Sequence, residues 1–185
     1  MGASLQQRGS ARLEGNYPAL ETVELKTANG KSALLLDANC PALQNLELEQ
    51  VSGSLKGKLA GEYAQLQTLK AGAVSGRLSL SLPGAYPALT AFNLNTVSGK
   101  AALDLSGDFQ GEICGAIHTV SGQTELKIPR RMAATLTGNF LTGRMKAEGF
   151  TRSGNTYTHE VPEAPAAFKI KARGVSGNIE VQLTE

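Results

Sequence analysis

The chain has 185 residues, 18 lysines and arginines against 16 aspartates and glutamates, and a formal charge of +2. Near-neutrality offers no whole-chain electrostatic case for nucleic acid or an anionic membrane, and no run of about 18 apolar residues exists to form a spanning helix. Tryptophan is absent and glycines number 21, which suits thin layers filled by Leu, Val and Ala better than one large globular core.

Residues 1–15 read as an N-terminal half coil or cap, with Leu13 and Gly15 in phase with Leu36 and the later turn glycines. The opening Met1-Gly2-Ala3-Ser4-Leu5 lacks the positive-then-apolar pattern of a signal peptide. It therefore reads as cytoplasmic, or as a chain whose export segment has been removed. From 16 to 131 the chain repeats itself. Val-Ser-Gly recurs at 51–53, 74–76, 97–99 and 120–122, and again at 175–177. Glycines 53, 76, 99 and 122 follow one another at 23-residue steps, and Gly30 starts the series. A strict internal period indicates a repeat architecture in which residues one period apart lie above one another.

The columns then become physical stacks. Leu25, Leu48, Ala71, Leu94 and Ile117 form one; Leu34, Gly57, Leu80, Leu103 and Leu126 another; Leu36, Leu59, Leu82, Leu105 and Ile128 a third. Leu103 and Leu105 alternate with Ala102 and Asp104, the period of two that marks a strand with one buried face. Each unit reads as strand, bend at Ser-Gly, strand, turn at Gly, so the chain is expected to be an all-β, single-stranded parallel β-helix (β-solenoid) of about 23 residues per coil and roughly seven coils. At the bend the valine is expected in the core, the serine to satisfy backbone groups, and the glycine to supply a positive φ. Tyr17, Cys40, Tyr63, Tyr86, Phe109 and Met132 form a further column, read as corner packing, with a sugar-binding aromatic strip as the alternative.

Residues 132–185 are less regular. Leu141-Thr142-Gly143 takes the Val-Ser-Gly role, and the last copy at 175–177 comes 34 residues later. The excess is placed in 152–166, rich in Ser, Gly, Asn, Thr and Pro, as a loop or hairpin outside the stack. The whole of 1–185 is read as one domain.

Candidate chemistry is sparse. After the bend glycine stand Lys31, Ser54, Arg77, Lys100, Gln123, Arg144 and Asn178. Lys31, Arg77, Lys100 and Arg144 make a partial basic row able to pair the phosphates or carboxylates of an anionic glycan, unless it only solvates the surface. His159, in the irregular segment, is added to that candidate binding set. His118 and His159 show no metal-ligand spacing, so neither metal nor cofactor is expected. Five equivalent serines without matching histidines read as structural, so no catalytic residue is assigned. Cys40 and Cys114 fall about three coils apart, on the order of 14 Å at the inter-strand spacing, and are expected to be free, mostly buried thiols. Glu24 and Glu47 share an outward column, but Lys70 and Asn93 follow them, which is thin support for a polysaccharide hydrolase or lyase.

Leu43-Gln44-Asn45-Leu46-Glu47-Leu48 fits the leucine-rich-repeat core, but the second half of each unit, as in Arg77-Leu78-Ser79-Leu80-Ser81-Leu82, alternates like a strand and not a helix. Thr96-Val97-Ser98-Gly99, Thr119-Val120-Ser121-Gly122 with Leu126-Lys127-Ile128-Pro129, and the closing Phe168-Lys169-Ile170 through Val175-Ser176-Gly177-Asn178-Ile179 instead carry a resemblance. Over roughly 16–185 the chain resembles the putative-adhesin β-strand-repeat (toast-rack) family of bacterial envelope-associated proteins. That resemblance implies a right-handed β-helix, an extracytoplasmic or membrane-tethered setting, and no enzymatic activity. Where the family is expected to place Asp after the glycine, this chain has the mixed, partly basic set above, so a shared ligand does not follow. The expectation is a non-enzymatic, adhesin-like module of the cell envelope with an envelope protein or anionic glycan as partner. The alternatives are a polysaccharide-binding or polysaccharide-degrading β-helix, and a scaffold self-assembling through its end coils, with Ile179 to Leu183 as the exposed terminal strand. It would be a monomer or an end-to-end oligomer.

Overall fold

The computed structural model describes residues 3–7, by their backbone, and 10–185; residues 1, 2, 8 and 9 of the expected cap lie outside the described set. Among the described residues there are strands and no helix. In chain order they are β1 (Ala3–Gln7), β2 (Ala11–Asn16), β3 (Leu20–Thr27), β4 (Lys31–Asn39), β5 (Asn45–Gln50), β6 (Ser54–Ala60), β7 (Thr68–Ala73), β8 (Arg77–Ser81), β9 (Ala85–Tyr86) and β10 (Ala91–Thr96). There follow β11 (Lys100–Asp104), β12 (Asp108–Phe109), β13 (Gly111–Thr119), β14 (Gln123–Pro129), β15 (Ala133–Phe140), β16 (Arg144–Ala147), β17 (Thr151–Ser153), β18 (Thr156–His159), β19 (Ala166–Gly174) and β20 (Asn178–Thr184).

The chain passes alternately between two long sheets. One has the order β1-β3-β5-β7-β10-β13-β19-β15-β18-β17, the other β16-β20-β14-β11-β8-β6-β4-β2, and β9 pairs with β12 at a corner. From β2 to β14 pairing is parallel and in the 23-residue register, with Leu25 beside Leu48, Leu94 beside Ile117 and Leu80 beside Leu103. Alternation along each strand sends the expected leucine stacks inward, where they form one hydrophobic cluster. Gly57 belongs to that interior row: a Cβ there would come 2.6 Å from Leu80 Cδ1.

The aromatic corner is packing. Tyr63, Tyr86 and Phe109 are buried, with ring centroids 5.3 Å and 5.2 Å apart in stacked geometry; Phe168 meets Phe109 edge-on at 5.5 Å. The Tyr63 and Tyr86 hydroxyls donate to the carbonyls of Leu36 and Leu59. Burial leaves this column no face for a sugar, so the aromatic-strip alternative falls.

Three further expectations change. The Val-Ser-Gly valines are 44% to 51% exposed, not in the core. Alternation runs Leu94 in, Asn95 out, Thr96 in, Val97 out, and the backbone ladder continues unbroken through the bend, Val97 N–H donating to Ala73 and Lys100 N–H to Gly76. The glycine is required for a different reason from the one expected. Only Gly30 and Gly53 of that column have positive φ; elsewhere the layer beneath leaves no room, and a Cβ on Gly99 or Gly143 would collide with the carbonyl of Gly76 or Gly177. Cys40 and Cys114 are free, but Cys114 is exposed. Burial alone pushes the Cys40 thiol up.

The largest departure is topological. The last repeat is not at the end: β19 lies between β13 and β15, and β20 between β14 and β16. Ile179 to Leu183 therefore have neighbours and are no terminal edge. Segment 152–166 does not stand outside the sheets. Thr151–Ser153 and Thr156–His159 form an antiparallel hairpin, β18 adds to β15, and this layer covers the edge that β15 would otherwise expose.

Candidate interaction surface

The Ser-Gly bends superpose along one edge of the molecule. Each hydroxyl of the serine column donates to the carbonyl of the preceding layer's apolar residue: Ser52 to Ala28 at 3.0 Å, Ser75 to Val51 at 3.0 Å, Ser98 to Val74 at 3.2 Å, Ser121 to Val97 at 3.2 Å, Ser176 to Val120 at 3.3 Å and Thr142 to Val175 at 3.2 Å. These bonds occupy the serines, as expected, and fix the edge as a straight ladder.

Beside it run the residues after the glycine, in the spatial order Lys31, Ser54, Arg77, Lys100, Gln123, Asn178, Arg144. Arg77 and Lys100 are adjacent, Lys31 is two strands from Arg77, and Arg144 is three strands from Lys100 because β20 intervenes. All four cations are exposed, and among the described residues none of them enters an ion pair. An open groove of about 600 Å³ runs between the bend glycines and Lys31, Arg77 and Lys100. A deeper one of about 980 Å³ continues from Arg77 and Lys100 past Glu125 and Glu180 to Arg144 and Arg152; there the Arg152 guanidinium lies 5.4 Å over the Tyr157 ring.

His159 is not part of this row. Its Nε2 donates to the Arg130 carbonyl at 2.9 Å and its ring packs 5.7 Å from Phe150, so it secures the end hairpin. Glu24 and Glu47 are register partners, but Lys26 is 2.6 Å from Glu24 and 3.4 Å from Glu49. The hydrogen bond to Glu24 first, then the charge of Glu49, raises the Lys26 pKa. Among the described residues no three His, Cys, Asp or Glu side chains converge to hold a metal, and no helix is long and apolar enough to cross a membrane.

Two features of this edge escaped the sequence reading: the outward valines, and Lys26 and Arg173, which flank them on the other sheet. The signal for the first was the alternation itself, counted forward from Leu94.

No family model matches the sequence, and no curated protein matches it either. Among solved structures, the chain is similar to a putative cell adhesion protein from Clostridium sporogenes ATCC 15579, with a TM-score of 0.54 and 17% identity. The match covers 63% of this chain and 55% of that one. At that identity the likeness concerns the fold.

Proposed function

We propose that this chain is a non-enzymatic, adhesin-like interaction module of the bacterial cell envelope, built as a right-handed parallel β-helix of about seven coils of about 23 residues. The domain spans 1–185, with a half coil at 1–15, regular coils over 16–131 and an interleaved C-terminal part over 132–185. It works extracytoplasmically, held at the envelope, and grips anionic envelope polymers.

The observation that carries the reading is the row Lys31, Arg77, Lys100 and Arg144: exposed, without ion pairs among the described residues, and aligned along one edge. An unpaired cation on a rigid sheet can give its full charge-assisted bond to a phosphate or carboxylate, with no internal partner to displace. Similarity in fold to a protein described as a putative cell adhesion protein supports the same reading. The test replaces all four with Gln and measures retention on immobilised teichoic-type polymer. Loss of retention at moderate salt is expected; retention equal to that of the parent protein overturns the assignment of this row.

A further inference from the structure

Six large hydrophobic side chains are exposed among the described residues, and all six lie in one column: Val51, Val74, Val97, Val120, Val175 and Leu141. Ala28 begins the column, and the bend hydrogen bonds place each member above the last. Leu141 is 80% exposed, at the hairpin end. Seven members at the inter-strand spacing make a ridge about 29 Å long. Scattered exposed apolar residues are ordinary, but their confinement to one line marks an interaction site.

We infer that this ridge, with the basic row on its flank, docks on an anionic lipid bilayer. The inference rests on the reading of the basic row as a site for anionic partners and names the partner that uses the whole edge. Shape and charge select it. The ridge runs along the outside of a bend, so it is convex and straight, and it meets a flat partner better than a chain that needs a groove. Lys31, Arg77, Lys100 and Arg144 line one flank; on the other, the row two residues before the apolar column contains Arg173 and Lys26, the latter held between Glu24 and Glu49. Two copies meeting ridge to ridge with basic row against basic row would bring like charges together, which disfavours that pairing. A polyanionic glycan would be held by the cations and leave the ridge wet. A bilayer uses both: lipid phosphates meet the cations, and the valines with Leu141 enter the boundary between headgroups and acyl chains.

The test uses the full chain with vesicles of equimolar phosphatidylglycerol and phosphatidylcholine, and pure phosphatidylcholine as control. Because the protein has no tryptophan, Val97→Trp places a single reporter on the ridge. Its emission should shift to the blue on anionic vesicles and be quenched by brominated acyl chains. No shift and no quenching overturns the inference. Replacing Val51, Val74, Val97, Val120 and Val175 with Thr keeps the β-branched shape and should lower vesicle partitioning at least about tenfold while leaving retention on teichoic-type polymer intact. Undiminished partitioning of that variant also overturns it. The four-Gln variant should lose both activities. Polymer retention without vesicle binding sinks the bilayer inference alone, and loss of neither on the Gln variant sinks the reading of the basic row.

Discussion

Each repeat turns two corners, and the two are equally regular with opposite contents. At the aromatic corner Tyr63, Tyr86 and Phe109 stack inside the protein; at the Val-Ser-Gly corner the valines stack outside it. Glycines allow close approach at both, since a Cβ on Gly84 or Gly107 meets the carbonyl beneath just as one on Gly99 does. A column thus records that residues lie above one another and not which side of the wall they face. One corner holds the fold together, whereas the other is free to meet something else.

That contrast can be broken in order of effect. Tyr86→Ala removes a fully buried ring, two stacking partners and the bond to Leu59, and should cost about 3–5 kcal/mol in chemical denaturation. Gly99→Val, at the outer corner, should cost about 3 kcal/mol, because its side chain has backbone and not a flexible neighbour to displace. Val97→Thr, only two residues away, should change stability by less than about 0.5 kcal/mol; a cost near that of Tyr86→Ala would mean the ridge is structural after all.

Alkaline titration separates the corners without mutation. Burial first, then nearby Cys40 and Asp37 for Tyr63 and Tyr63 for Tyr86, pushes both phenols well above the ordinary range. In the unfolded chain they ionise near pH 10. Their contribution is therefore fully present below pH 10 and is lost above it, at up to about 1.4 kcal/mol per pH unit for each tyrosine. Denaturation midpoints between about pH 9 and 12 should fall accordingly, and Tyr63→Phe with Tyr86→Phe should flatten the fall.

Much of the fold was legible because hydrophobic columns at a fixed period have few ways to be satisfied: Leu25 with Leu48, and Leu80 with Leu103, needed only counting. The phase at Val97 was misread because valine is apolar and sits at a bend, where the alternation set by Leu94 places Thr96 inward instead. The position of β19 was not legible at all. Its columns match those of every other unit, so nothing local says whether it stacks on β15 or slips beneath it. The basic row was visible as a list, but its spacing was not, since Asn178 separates Gln123 from Arg144 only once β20 is interleaved. Nor did a net charge of +2 hint that cations gather along one edge while Glu47, Glu112 and Glu160 lie elsewhere.

The interleaved last repeat also sets a schedule for synthesis. A chain emerging from its N-terminus can add layers one by one as far as β14, but β15 and β16 then have no parallel neighbours until 166–184 arrive and slide between. The final two layers must therefore close together. A chain cut short before Ala166 would not merely be one layer smaller: it would leave β13 and β14 without the neighbours that β19 and β20 supply, and β15 and β16 without a parallel partner.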